Sequence, residues 1–160
     1  MKSVAELGIL VGVAVVAGLG NWLASGMPSA SPAELDTGAP LKEGEILLAD
    51  APVVKTEGVV WIDARPTSEW RQDGLVGAIN ITMQSERALI EQVADHADKL
   101  LNAQRIIVYC SDLHCTASHD LAAKLKGELA DFIGGEVLVL RGGVVSLRQG
   151  GWITSSSPDP

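Results

Sequence analysis

Apolar positions recur along this chain at two periods. Val59-Val60-Trp61-Ile62-Asp63, Arg105-Ile106-Ile107-Val108-Tyr109 and Val137-Leu138-Val139-Leu140 are short, nearly continuous apolar runs. Runs of that length predict strands buried on both faces. Ile46-Leu47-Leu48 reads as a short edge strand, and Gly77-Ala78-Ile79-Asn80-Ile81 as a small extended piece. Between them the spacing turns helical. Residues 68–72 predict a short helix. Residues 86–101 predict one amphipathic helix with Leu89, Val93, Ala97 and Leu100 on its apolar face. Residues 118–129 predict another, with Leu121, Ala122, Leu125 and Leu129 inward, Ser118 as its N-cap and Gly134-Gly135 beyond its end. Gly142-Gly143 then turns into a last short helix over 144–149. Buried strands alternating with helices predict an α/β fold, a mostly parallel central sheet with helices on both faces. Sites in such sheets lie beyond the carboxyl ends of the strands, where Asp63, Cys110 and Arg141 fall.

A different pattern precedes this domain. Leu7 to Ala33 carries no charge, and Leu7 to Leu23 is strongly apolar with Trp22 near its end. About 17–20 such residues span the hydrocarbon core of a bilayer as a helix. The segment therefore predicts one N-terminal hydrophobic helix, an uncleaved signal anchor; a signal peptide cut near Ala24-Ser25-Gly26, giving an exported domain, is the alternative. Lys2 and the α-amino group mark the N-terminus as cytoplasmic, which puts the folded domain outside the cytoplasm, on the periplasmic side. Gly26 to Pro40 is rich in Ser, Pro, Gly and Ala and reads as a linker. The expected organisation is a transmembrane or signal-anchor segment at 1–25, a linker at 26–42 and one domain at 43–155.

Composition narrows the function classes. Hydrophobic residues make up 47 % of the chain but aromatics only 4 %, so the core must be aliphatic. The net charge of −8 argues against nucleic-acid binding and weakly against anionic substrates. The two cysteines, Cys110 and Cys115, flank one loop and cannot staple distant segments. With His114 and His119 nearby they still fall short of the ligand array of a structural zinc site, so neither a metal nor a cofactor is expected.

Cys110 ends a buried strand and is followed by the loop Ser111-Asp112-Leu113-His114-Cys115-Thr116-Ala117-Ser118. A thiol facing a helix N-terminus sits where backbone N–H groups and the helix dipole favour the thiolate, the chemistry of a nucleophile. The blander reading is a buried strand-end cysteine. Cys115 is either a redox partner for Cys110 or a loop residue that packs. His114 is a candidate proton donor or substrate contact, set against a solvated loop histidine, whereas His119 and His96 read as surface and partly exposed residues. Arg141 is the nearest candidate cation for a substrate. Asp63 and Arg65 form an Asp-x-Arg turn that predicts a structural pair, and Trp61 and Trp70 read as core.

Three blocks resemble the rhodanese, or thiosulfate sulfurtransferase, family. They are Ile62-Asp63-Ala64-Arg65-Pro66 with Glu69 and Gly77-Ala78-Ile79-Asn80; the strand ending in Tyr109-Cys110 with its loop and helix; and Val137-Leu138-Val139-Leu140-Arg141-Gly142-Gly143. The resemblance covers about residues 43–152. It implies a rhodanese-like α/β fold and a persulfide mechanism in which the Cys110 thiolate takes the outer sulfur of a small donor, thiosulfate or another sulfane sulfur, and yields it to a thiol or protein acceptor. It also implies a structural role for Asp63, Arg65 and Glu69. The chain departs from the family at Asp73-Gly74, where Gly-His is usual, and in a loop that lacks Arg, Lys and Gly and contains Asp112. Counted to Ser118, that loop is eight residues long against a usual six. Two functions are open at this point: a membrane-tethered or exported sulfurtransferase using Cys110, or a non-catalytic or redox-responsive binding module using the Cys110/Cys115 pair. A phosphatase reading needs Cys-x5-Arg, and position 116 is Thr.

Overall fold

The computed structural model describes residues 39–154. The expected membrane segment and nearly all of the linker lie outside them. Among the described residues no helix is long and apolar enough to cross a membrane.

Five strands, β1 (Glu45–Ile46), β2 (Val59–Asp63), β3 (Ile79–Asn80), β4 (Arg105–Tyr109) and β5 (Glu136–Leu140), form one sheet in the order β1-β5-β4-β2-β3. Every pairing is parallel, with Asp63 beside Tyr109 and Val108 beside Val139. The carboxyl ends of the central strands are thus level, and the turns that leave them share one rim. Helices α1 (Thr67–Asp73), α2 (Leu89–Ala94), α3 (Ala97–Leu101) and α4 (Ala117–Lys126) connect the strands, and α5 (Gly143–Gln149) follows β5.

Strand alternation divides the core into two layers. Ile62, Ile106, Val108, Val137 and Val139 face Val93, Leu100, Leu121 and Leu125 of α2, α3 and α4. Trp61, Ile107, Tyr109 and Leu140 face the other way, against Leu75 and against Val144 and Leu147 of α5. The helices on both faces explain why the strands read as continuous apolar runs. Each fully buried leucine contributes about 1.5–3 kcal/mol, which makes Leu100, Leu121, Leu125 and Leu147 main contributors to the core.

Three expected elements are corrected. The helix over 86–101 is two short helices. The His96 amide bonds to Val93 O, a tightened turn that ends α2, and the amides of Lys99 and Leu100 restart from His96 O. The predicted apolar face survives the break, since Val93 and Leu100 are fully buried. Helix α4 begins at Ala117, with Thr116 at its N-cap, because the Asp120 amide closes the first turn on Thr116 O. Ser118 is therefore a buried first-turn residue and no cap. The edge strand pairs only over Glu45–Ile46, and Leu48–Asp50 curls into a 3-10 turn.

Candidate active site

The site begins at the end of β4. Cys110 is almost fully buried, at 1 % exposure, and its carbonyl accepts the Val144 amide of α5 at 2.8 Å. One residue on, Ser111 O accepts the Val145 amide at 3.3 Å. The loop is thus carried by the first turn of α5. This approach is close enough to require glycine. Gly143 has φ +49°, and a Cβ there would lie 2.1 Å from the Cys110 carbonyl oxygen. Gly142, with φ +75°, makes the turn from β5 into α5.

Within the loop, Asp112 Oδ1 accepts the His114 amide at 2.7 Å. This carboxylate shapes the turn that carries Cys115. Cys110 and Cys115 form a disulfide with a Cα–Cα distance of 6.3 Å, inside the range of about 4.4–6.8 Å that such bonds adopt. The N-cap Thr116 follows Cys110 by six positions. The apparent excess length of the loop came from placing the cap at Ser118; counted to Thr116, the loop has the family's usual length. Helix α4 is ten residues long and points its N-terminus back at this loop, so its first-turn amides and dipole favour negative charge there.

A buried polar layer supports the rim. Asp63 is fully buried and Arg65 nearly so. Arg65 Nε and Nη2 donate to the Asp63 carboxylate at 3.0 and 2.8 Å, and the Arg65 amide donates to Asp63 Oδ1 at 3.0 Å. Nη1 donates to Asp73 Oδ1 at 2.9 Å, whereas Glu69 stands 3.9 Å away on the surface. Burial opposes the Arg65 charge, but the bonds and charges of Asp63 and Asp73 outweigh it and hold the guanidinium above its ordinary range. Asp73 also pairs with Arg148 of α5. Asn80 clamps the turn by donating to Asp63 O at 2.9 Å and Arg65 O at 3.0 Å. The Ala64 amide donates to Tyr109 O at 2.9 Å, joining this turn to the residue before Cys110. Burial, and then the charge of Asp63, push the Tyr109 phenol well above its usual range; as a neutral group it accepts the Leu75 amide at 3.0 Å.

The structure brings Asp63, Arg65, Cys110 and Cys115 to the same rim. Glu69 contributes at the periphery. Arg141 uses its backbone amide to bond Ile46 O, and its Nη1 donates to Ala39 O at 2.8 Å. His114 is exposed on the loop. His119, read as a surface residue, is partly exposed and sets its Nε2 3.2 Å from Glu45 Oε1, bridging α4 and β1. Among the described residues no group of three or more His, Cys, Asp and Glu side chains is placed to hold a metal. Sequence reasoning missed Asp73, Tyr109 and Arg148 as members of the supporting layer. Asp73 and Arg148 stand far apart in sequence, and no local pattern joins them. Asn80 was visible as part of the Gly-Ala-Ile-Asn block, but its clamping role was not.

No curated protein matches the chain. Among solved structures it is similar to the BH2092 protein of Bacillus halodurans, at 24 % identity over 61 % of this chain and 64 % of that one, with a TM-score of 0.47. It is also similar to the N-terminal domain of a proposed ATP/GTP binding protein of Clostridium difficile 630, at 20 % identity over 67 % and 98 % of the two chains, with a TM-score of 0.48. A rhodanese-related protein of Thermoplasma volcanium matches at 19 % identity over 62 % and 87 %, with a TM-score of 0.40. The chain spans 64 % of the length of the Bacillus halodurans protein. The model of the rhodanese-like domain family matches residues 48–149, from the turn after β1 to the end of α5. With well over half of its length matched, the chain belongs to the rhodanese-like domain family.

Proposed function

We propose that this domain is a sulfurtransferase that carries a sulfane sulfur as a persulfide on Cys110, with Cys115 as the thiol that resolves it. The observation behind this reading is the placement of Cys110 at the end of β4, one six-residue loop before the N-terminus of α4, with Cys115 in disulfide range. In the reduced enzyme the Cys110 thiolate attacks the outer sulfur of the donor. The donor's sulfur–sulfur bond breaks, its remaining group leaves with the electron pair, and Cys110–S–SH remains. An acceptor thiolate then takes the outer sulfur and returns the Cys110 thiolate. Alternatively, the Cys115 thiolate attacks the inner sulfur of Cys110–S–SH. That step expels HS⁻ and closes the disulfide, which an external dithiol must reduce before another turn.

The loop itself holds no cation, and Arg65 is committed to Asp63 and Asp73. Low-charge organic persulfides are therefore better donors for this site than dianionic thiosulfate. The test is intact mass of the reduced protein after exposure to an alkyl persulfide or to thiosulfate. One added sulfur retained in Cys115→Ser, closure of the Cys110–Cys115 disulfide with release of sulfide in wild type, and no added sulfur in Cys110→Ser are the expected results. A redox-responsive binding module is the second reading, favoured by the disulfide and by the burial of Cys110. A protein that never gains sulfur yet opens and closes the pair reversibly would establish that reading instead.

We also propose that residues 1–25 tether the domain to a membrane, with the domain on the periplasmic side. The support is the absence of charge from Leu7 to Ala33. Retention of the full chain in membranes through carbonate extraction is expected, and release of an uncleaved chain into the soluble fraction would overturn the tether.

A further inference from the structure

We propose that the cleft between α1, the open edge of β3 and α2 is a second binding site, for a small aromatic anion bearing a carboxylate or phosphate group. The cleft has a volume of about 380 Å³, within the range of about 300–1,000 Å³ for small-molecule sites. No residue of the Cys110 loop lines it. Its walls include Trp70 and Arg71 of α1, Asn80 of β3, Arg87 from the segment before α2, and Asp95 and His96 beyond α2.

Three features give this cleft its chemistry. The first is charge. In a chain of net charge −8, two arginines line one cleft with a single carboxylate, that of Asp95. Arg71 is exposed and has no acidic partner among the described residues. Arg87 Nη1 bonds Asp95 Oδ2 at 2.8 Å, a pairing that sets its guanidinium at the cleft. Glu91 Oε2 stands 3.9 Å from Arg87 Nε on the exposed side, outside the cleft lining, and a planar guanidinium with several N–H donors is not exhausted by these two contacts.

The second feature is preorganisation. Buried Gln92 donates to Thr82 O at 3.0 Å and to Arg87 O at 3.1 Å, and its Oε1 accepts the Thr82 amide at 3.0 Å. The backbone that carries Arg87 is thereby fixed to α2. On the opposite wall the Asn80 side chain is turned inward onto Asp63 O and Arg65 O. Because Ile81 N bonds Asp63 O, strand alternation turns the Asn80 amide to the open edge.

The third feature is the pairing of an aromatic face with a titratable ring. Trp70 is partly buried in the wall and supplies a surface for a flat ligand. Burial first, and then the charges of Lys99 and Arg87, hold the His96 pKa below its ordinary value against the opposing pull of Asp95. The free cleft thus disfavours the charged form of this imidazole. An anion bound between Arg71 and Arg87 would favour the charged ring and draw the pKa of His96 upward.

Full-length protein labelled with ¹⁵N provides the test. Phenyl phosphate and benzoate are titrated separately, with benzyl alcohol as the uncharged control, while the Trp70 indole and His96 imidazole signals are followed. Saturable shifts at both residues with either anion, an upward move of the His96 pKa on saturation, and about tenfold weaker binding in Arg71→Gln are expected. Comparing the two anions identifies which headgroup is preferred. Absence of saturable shifts with both anions, equal shifts with benzyl alcohol, or unchanged affinity in Arg71→Gln would each overturn the proposal. Arg71 is exposed and has no ion-pair partner among the described residues, so that variant leaves the fold intact. The measurement involves no sulfur chemistry, and its outcome is independent of Cys110.

Discussion

Arg65 reaches two carboxylates from a position that water hardly touches, and Asp63 beneath it is fully buried. Removing one member of a buried pair leaves the other as an uncompensated charge. Arg65→Met should therefore cost about 3–5 kcal/mol in urea unfolding. Arg65→Lys keeps the charge but loses the fork, and should fall between wild type and Met. A near-neutral Arg65→Met would show that the Asp63 side chain finds water or another donor. Tyr109→Phe removes the acceptor of a buried amide, that of Leu75, and should cost about 1–3 kcal/mol by the same measurement. At the cysteines the expected effects are chemical. Cys115→Ser should keep or raise the persulfide on Cys110 relative to wild type but lose sensitivity to oxidant. Equal oxidant sensitivity in the two proteins, titrated in a thiol redox buffer, would remove Cys115 from the mechanism.

Among the elements, α5 is the one that holds the reactive loop. Its first amides bond Cys110 O and Ser111 O, its Leu147 fills the core, and its Arg148 pairs with Asp73, which also bonds Arg65. Gly143→Ala tests this arrangement directly, because the added Cβ would meet the Cys110 carbonyl oxygen in a left-handed backbone region. The backbone preference alone is worth about 1–2 kcal/mol, and relief of the clash must shift the loop. The variant should lose at least about that stability and alkylate at Cys110 at a changed rate after reduction. An unchanged rate and melting temperature would mean that the loop is not seated on α5 in solution. Sequence alone made the Gly142-Gly143 turn visible, along with all three long strands and the apolar face of α4. The cap at Thr116 was hidden by Ser118, a better capping residue that lies two residues too deep. The break between α2 and α3 was hidden because residues 94–97 contain neither Gly nor Pro.

At the scale of the molecule, alternation of buried strands with helices was enough to predict a parallel sheet covered on both faces. The Cys110 position also followed from the pattern, since strand ends in such sheets carry sites. What did not follow was long-range pairing: Asp73 with Arg148, Tyr109 with the Leu75 amide, and the placement of β1 beside β5. Strand β1 leads to the last prediction. The family match begins at residue 48, just after β1, yet β1 covers the outer edge of β5. The Val139 amide donates to Gly44 O at 2.8 Å and the Arg141 amide to Ile46 O at 3.0 Å, while the Ile46 side chain joins the layer beneath α5. A protein starting at residue 29 retains all of these contacts and should fold as a soluble, cooperative unit. One starting at residue 48 loses two ladder hydrogen bonds and a buried isoleucine, a loss of about 2–5 kcal/mol. It also bares the edge of β5, the strand that leads to Gly142. Urea unfolding of the two proteins should show a clearly lower midpoint for the shorter one, accompanied by self-association at high concentration. Coincident unfolding curves would show that the matched region alone is the stable domain and that β1 is an accessory strand.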